Sequence, residues 1–339
     1  MTDPDRVYFI AEAGVNHNGE IEKALALVDI AADAGADAVK FQTFDTAALA
    51  TVNAPKAAYQ ERNDSRHKNQ FDMLKALELS RGDWERIVAR CAEKGVAFLS
   101  TPFDFGSADL LEALGVNAYK VSSGDLTFHQ LLAHIAAKGR PMVISTGMAT
   151  MGEVEEAVDV IERSGNPPLA ILHCVSDYPC APEDCNLNVI PIMRAMFGRP
   201  IGWSDHTDAE VTGLASVALG GRLIEKHFTL DRNLPGPDHK ASLEPDALAG
   251  FIANIRTLEK ALGDGRKRPT AAEKNTAALA RRSIVLLADI EAGETLTAAN
   301  CGALRPGTGL PPRMLDSLLG LKVRKAMAAG TVLSLADLG

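Results

Sequence analysis

Two histidines, His206 in "IGWSDHT" and His227 in "RLIEKHF", stand at the ends of short, β-prone runs. If those runs are neighbouring strands, the imidazoles lie roughly 5 Å apart. That separation lets both converge on one divalent cation, with positions left for substrate or water. Two unrelated core histidines are the other reading. Two lysines close other runs in the same way, Lys40 in "AVKFQT" and Lys120 in "AYKVSS". With the Ser and Thr hydroxyls around them they make an anion pocket suited to a phosphate or a carboxylate. Structural ion pairs with Glu12 or Asp125 are the alternative. A cation beside an anion site is the equipment for metal-polarised addition to a carbonyl.

These residues belong to a regular alternation. Eight β-rich runs, "YFIAEAG", "AVKFQT", "VAFLST", "AYKVSS", "PMVIST", "AILHCVS", "PIGWSD" and "RLIEKHF", are mostly separated by helical patterns such as "EIEKALALVDIAADAG" and "GEVEEAVDVIERSG". Gly35, Gly95, Gly115, Gly139 and Gly165 suit helix ends before the next strand. Eight such units over about 260 residues predict an α/β fold, the (β/α)8 TIM barrel. An open doubly wound sheet would need a G-x-G-x-x-G turn after its first strand, and none is there.

In barrel enzymes the chemistry sits at the C-terminal strand ends and in the loops after them. Polar residues collect there in every unit: Glu12, Asn16 and His17; Lys40 and Gln42; Ser100, Thr101 and Asp104; Lys120, Ser122, Ser123 and Asp125; Ser145 and Thr146; His173, Ser176, Asp177 and Tyr178; Ser204, Asp205 and His206; Glu225 and His227. Strand alternation puts Lys40 with Gln42, Lys120 with Ser122, Ser204 with His206, and Glu225 with His227 on shared faces.

A chain of 339 residues with 46% apolar content can bury a sizeable core and exceeds what one core usually serves. Residues 1 to 262 are expected to form the barrel and 263 to 280 a polar linker broken by glycine and proline. Residues 281 to 339, with short apolar runs between Gly and Pro turns, are expected to form a small, mainly β domain. A net charge of −9 argues against nucleic acid as a partner, because phosphate neutralisation needs a basic face. No run is long and apolar enough to span a bilayer, and "MTDPDRVYFIAEAG" lacks a basic segment leading into an apolar one, so a cytoplasmic protein with no membrane partner is expected. Five cysteines without a C-x-x-C pair fit neither a disulfide framework nor a zinc ribbon. Cys174, Cys180 and Cys185 are spaced too irregularly to read as a soft-metal site.

The strings "AEAGVNHNG", "VKFQTF", "STPFD", "KVSSGD", "STGM", "HCVSDYP", "WSDHT" and "EKHFTLDRNLPGPDHKASLEPD", in this order, together resemble the sialic acid synthase family. The tail with "RPGTG" resembles that family's C-terminal antifreeze-like (SAF) domain. The resemblance implies condensation of phosphoenolpyruvate with an N-acylated mannosamine-type sugar. The product would be a nine-carbon 2-keto sugar acid, N-acetylneuraminate or legionaminate, with release of phosphate. "LPGPDHKASLEP" sets the chain apart from the pseudaminic acid branch, whose corresponding loop differs. The resemblance also implies a divalent metal, Mn or Mg, with no organic cofactor, and a domain-swapped homodimer in which each antifreeze-like domain caps the partner's barrel.

Carried over by position, the resemblance makes His206 and His227 the metal ligands. Lys40, Thr101, Lys120, Ser123, Ser145 and Ser204 match positions that hold phosphoenolpyruvate. Gln42, Tyr178 and Asp238 match sugar-contacting positions, and Arg305 matches the arginine that reaches the sugar's N-acyl group from the partner chain. Glu12 and Asp125 are the acid and base candidates. The chain departs from some members at Ser176, where they have Asn in the substrate site, and at Asp125, where they have Glu. Two rivals differ in what they require. A phosphoenolpyruvate-dependent deoxy-sugar-phosphate synthase needs extra cations for the sugar's own phosphate, and an ice- or sugar-binding module needs no barrel of converging polar groups.

Overall fold

Each β-prone run becomes a strand. The computed structural model describes residues 6 to 339; residues 1 to 5, where the stretch read for a leader begins, lie outside them. The strands are β1 (Tyr8–Gly14), β2 (Ala38–Thr43), β3 (Ala97–Pro102), β4 (Tyr119–Val121), β5 (Met142–Ser145), β6 (Leu169–Cys174), β7 (Ile201–Asp205) and β8 (Leu223–His227). All pair in parallel in the order β3-β2-β1-β8-β7-β6-β5-β4, and β3 lies beside β4, so the sheet curls into a near-closed TIM-type barrel. The chain divides into two compact units, Met1–Gly263 and Asp264–Gly339.

Helices follow the strands because local signals start and stop them. Ser80 and Asp83 form a reciprocal capping box at Arg81–Lys94, and Thr150 and Glu153 form another at Met151–Arg163. Gly95 ends the first of these helices at φ +71°, a left-handed conformation that costs a glycine nothing. The other four glycines expected at helix ends also have positive φ.

Alternation along each strand sorts the interior into two layers. On the inward face the N-terminal halves carry Ile10, Ala38, Leu99, Ala118, Val143, Ala170, Leu172 and Leu223, which fill the floor of the barrel. Two residues further on, the same face carries Glu12, Lys40, Thr101, Lys120, Ser145 and Glu225, so the floor supports a polar upper layer. The outward face carries Phe9, Val39, Phe41, Trp203 and Ile224, packed in the main core with the helices. This parity corrects the expectation that every polar strand-end residue serves the mouth. Thr43 and Ser100 bond each other at 2.7 Å, Asp205 pairs with Lys226 at 3.1 Å, and His173 packs on Trp203 at 5.0 Å while bonding the Cys185 carbonyl. Asp104 caps Phe105–Ala113 through the Ser107 N–H.

The stretch expected as a linker is partly ordered. Its second half is the helix Ala271–Ala280, because "AAEKNTAALA" has high helix propensity and Thr270 with Glu273 supplies a capping box. It belongs to the smaller unit, where the Gly307 N–H donates to the Ala278 carbonyl. The rest of that unit has an antiparallel pair, β9 (Ser283–Leu286) with β10 (Cys301–Leu304), further isolated bridges, and a core of Ile284, Leu286, Leu296, Val323 and Leu333.

Gly202 on β7 marks where the barrel tolerates no side chain. A Cβ there would overlap the Leu223 carbonyl oxygen and Leu172. Gly202→Ala is expected to destabilise the barrel by about 1–3 kcal/mol. Gly250→Ala, in open space on the helix Pro245–Leu262, should be neutral or stabilising by up to ~1 kcal/mol. Denaturant melts of both variants check the pair; equal stability for both would show that the close approach at Gly202 is not limiting.

Candidate active site

Four buried charges occupy the upper layer. Lys40 Nζ lies 2.8 Å from Glu12 Oε1 and 3.9 Å from Glu225 Oε2, and Lys120 Nζ lies 3.7 Å from Glu225 Oε1. All four residues are at least 95% buried. The register places them, with Glu12 opposite both Lys40 and His227, and Ser204 opposite Glu225. Lys40 donates to Thr101 Oγ1 at 3.1 Å, Lys120 to Ser145 Oγ at 2.6 Å, and Ser204 Oγ to Glu225 Oε1 at 3.0 Å. The ion-pair reading of the lysines is therefore realised for Lys40 with Glu12, whereas Lys120 pairs with Glu225 and not with Asp125. One carboxylate oxygen of each glutamate, Oε2, has no hydrogen-bond partner among the described residues.

Two carboxylates compete for the same ammonium groups, and they do not share equally. Burial pushes the Glu12 carboxyl up to about 7, with Lys40 opposing the rise and Glu225 adding to it. Glu225 is also penalised by burial, but Lys120 and Lys40 together bring it below the usual range. Burial depresses Lys120. For Lys40 burial pulls down as well, but Glu12 and Glu225 outweigh it and hold the ammonium charged. Of these four groups, Glu12 is therefore the one that gains or loses a proton near neutrality.

The two histidines meet where β7 and β8 end, with ring centroids 5.6 Å apart. His206 Nδ1 lies 2.7 Å from the Val175 carbonyl oxygen, which can only accept, so Nδ1 carries a proton; burial opposes charge on this ring, but Cys174 beside it outweighs burial and raises its pKa. His227 is held neutral chiefly by burial, and its Nδ1 is buried without a partner among the described residues. Among those residues no three His, Cys, Asp or Glu side chains form a metal cage. The donor set is two imidazoles, which, once His206 has lost its Nε2 proton, fits a cation whose remaining positions go to water or substrate oxygens. The Tyr178 ring stacks on His206 at 4.1 Å and meets His227 edge-on at 5.8 Å.

Hydroxyls and a glycine line the side nearest Lys120. Ser123 Oγ accepts from the Gly147 N–H at 2.9 Å and lies 3.6 Å from Cys174 Sγ, which is 3.8 Å from His206 Nδ1. A Cβ on Gly147 would overlap Ser176 Oγ and come within 2.9 Å of Ser123 Oγ, so Ser123, Ser176 and Cys174 converge on one small space. Asp125 stands apart in a short turn, accepting from Ser122 Oγ at 2.6 Å, with its carboxyl raised mainly by burial.

Gln42, Tyr178, His227 and Asp238 line a cavity at the mouth. Gln42 Nε2 donates to Glu12 Oε1 at 3.3 Å, and burial raises the Asp238 carboxyl to about 6. Arg305 is exposed in the smaller unit, its Nε donating to the Ala280 carbonyl. Glu225, Cys174 and Tyr59 have no role that follows from the sequence alone. Glu225 was in reach, because it shares a strand face with His227; Tyr59, stacked on Tyr178 at 4.9 Å, comes from the six-residue helix Ala58–Asn63, too short to carry a periodic signal.

The NeuB family model matches residues 27–267 and the SAF domain model residues 281–339. The chain is 41% identical over 330 residues to the N,N'-diacetyllegionaminic acid synthase of Legionella pneumophila, covering 96% of this chain and 93% of that protein. It is 40% identical to the enzyme of the same name from Campylobacter jejuni, covering 93% and 95%. The crystal structure of an N-acetylneuraminic acid (sialic acid) synthetase from Leptospira borgpetersenii superposes with a TM-score of 0.71 at 34% identity, covering 80% of this chain and 90% of that one. With a barrel whose polar mouth is built from the quoted strand ends and a SAF domain following it in the sequence, the chain belongs to the NeuB family.

Proposed function

We propose that this protein condenses phosphoenolpyruvate with an N-acylated mannosamine-type sugar to give a nine-carbon 2-keto sugar acid and inorganic phosphate. The preferred acceptor is 2,4-diacetamido-2,4,6-trideoxymannose and the product a legionaminate, a reading supported by the two diacetyllegionaminic acid synthases among its relatives. The observation that carries the chemistry is the adjacency of two buried ammonium groups and two imidazoles in one barrel mouth.

Phosphoenolpyruvate would set its phosphate and carboxylate against Lys40 and Lys120, with Thr101, Ser123, Ser145 and Ser204 supplying hydrogen bonds and Ser176 closing the pocket. His206 and His227 would hold a divalent cation, Mn or Mg, which when bound withdraws electron density from the aldehyde oxygen of the open-chain sugar. Gln42, Tyr178 and Asp238 would orient that sugar. The enol methylene of phosphoenolpyruvate forms the new carbon–carbon bond to the aldehyde carbon, whose oxygen ends as a hydroxyl. Water adds to the carbon bearing phosphate, one of its protons passing through a base to the aldehyde-derived oxygen; the bond from that carbon to the phosphate oxygen then breaks and the second proton leaves with the phosphate, giving the ketone. Glu12 is our assignment for the base, ahead of Asp125, because it has an unpartnered oxygen in the mouth and a proton affinity near neutrality. A homodimer in which Arg305 of one chain donates to the N-acyl carbonyl in the other's site would make the contact charge-assisted and selective for amide-bearing sugars.

Mixing the protein with phosphoenolpyruvate and the trideoxy sugar should release phosphate and form a keto sugar acid in equal amounts. Chelation should stop this and Mn²⁺ restore it. Replacing His206 and His227 together with Ala should abolish both turnover and the calorimetric signal of Mn²⁺ binding without unfolding the barrel; retained Mn²⁺ binding would remove the assignment.

Glu12 makes phosphoenolpyruvate binding pH-dependent. Raised in the folded protein, its carboxyl holds a proton below about 7 and frees the Lys40 ammonium for the anion; above that pH it ionises and competes for Lys40. The same sign applies to folding: its contribution is fully present below the unfolded carboxyl pKa and falls as pH rises through about 7. Affinity for phosphoenolpyruvate should drop by up to about tenfold between pH 6 and pH 8. Glu12→Gln should flatten that profile in calorimetry; a profile of unchanged slope would place the titrating group elsewhere.

The dimer is tested by complementation. One chain carries Arg305→Ala and the other His206→Ala with His227→Ala, both inactive alone. After reassociation a mixed dimer holds one site with every lesion and one with none, so part of the activity returns. Demonstrated mixed dimers without activity would place Arg305 in its own chain's site.

A further inference from the structure

One wall of the mouth cavity is apolar. Val15, Met73, Leu74 and Leu77 line it opposite Gln42, His227 and Asp238. Val15, Met73 and Leu77 are no more than 5% exposed and are backed by Phe44 and Phe103. They come from the turn after β1 and from the segment around the helix Gln70–Lys75, between β2 and β3. The wall itself offers no polar atom, and the Gln60 amide beside it is already engaged: Gln60 Oε1 accepts from the Ala57 N–H at 2.9 Å, and Gln60 Nε2 donates to Tyr59 Oη at 3.3 Å. A hydroxyl pushed against this surface would give up its water and find little in exchange, whereas a methyl group would lose nothing and bury apolar area.

We infer that Val15, Met73 and Leu77 form a methyl-accepting wall that makes the site select a deoxy sugar, one with a methyl where a hexose has a hydroxymethyl. This rests on the condensation reading above and assigns the discrimination within it to three residues. An apolar surface of this kind rejects an added hydroxyl by up to about 100-fold and no more, since nothing in it repels the hydroxyl actively.

The test compares two N-acylated mannosamine-type sugars that differ only in a methyl or a hydroxymethyl at C6, each with phosphoenolpyruvate, and follows keto-acid formation. The wild type should favour the deoxy sugar in kcat/KM by about 10- to 100-fold. Val15→Thr, which keeps the shape, and Met73→Gln should each cut that ratio at least several-fold, mainly by lowering KM for the hydroxylated sugar. If Met73→Gln does not fold, Val15→Thr decides. Equal use of both sugars by the wild type, or an unchanged ratio in a variant with wild-type melting and phosphoenolpyruvate affinity, overturns the wall while leaving the condensation intact. Bound phosphoenolpyruvate with no keto acid from either sugar overturns the condensation reading, and the wall with it.

Discussion

Lys40, Lys120, Glu12 and Glu225 must balance one another, because none can reach solvent and each alone would cost several kcal/mol to bury. That constraint shapes the upper half of the barrel. The lysines enter from β2 and β4, on opposite arcs of the strand order, and the glutamates from β1 and β8 between them. Four charges meet only because the barrel closes. The balance is also unequal, with Glu225 held by two lysines while Glu12 carries a proton that comes and goes near neutrality. An anion entering the layer meets two cations and one committed carboxylate, so the electrostatics favour a multiply charged ligand although the protein carries a net charge of −9.

The mouth is held by polar contacts that do no chemistry themselves. Asn16 Nδ2 donates to the Phe228 carbonyl at 2.8 Å and to Ser242 Oγ at 3.0 Å, and Ser242 Oγ donates to the Asp238 carbonyl at 2.7 Å. His239 bonds Thr229 at 2.6 Å and Asn18 at 3.2 Å, while Asn63 Nδ2 donates to the Pro237 carbonyl at 2.8 Å. These struts tie the loops after β1, β2 and β8 into one rim and hold Asp238 in the cavity. Buried networks of this kind are costly when half satisfied and rigid when complete, which suits residues that must present a side chain to a ligand without spare motion.

The same loops give the mouth two characters. Its floor and His227 side are charged or polar, and its outer wall is made of Val15, Met73 and Leu77 under the paired rings of Tyr59 and Tyr178. A ligand with an anionic end, a polar middle and an apolar tip matches that gradient. Tyr178 belongs to both parts, since it stacks on His206 as well as on Tyr59.

Much of this was present in the linear sequence. The eight strands, the glycines that end the helices, and the sharing of a face by Glu225 with His227 and by Lys40 with Gln42 follow from local periodicity and turn chemistry, which are properties of a few neighbouring residues. Tertiary structure decided the rest. Lys120 pairs with Glu225, 105 positions away, and not with Asp125 nearby, because register and closure set that distance. Ser100, His173 and Asp205 read as mouth residues until strand parity turned them outward. Residues 263 to 280 read as a linker because charge and glycine dominate their first half, while the helix Ala271–Ala280 is anchored to the smaller unit by a bond to the Gly307 backbone. The apolar wall and Tyr59 had no signal at all, since they lie in turns and six-residue helices whose side chains acquire neighbours only when the barrel brings the ends of β1, β2 and β8 together.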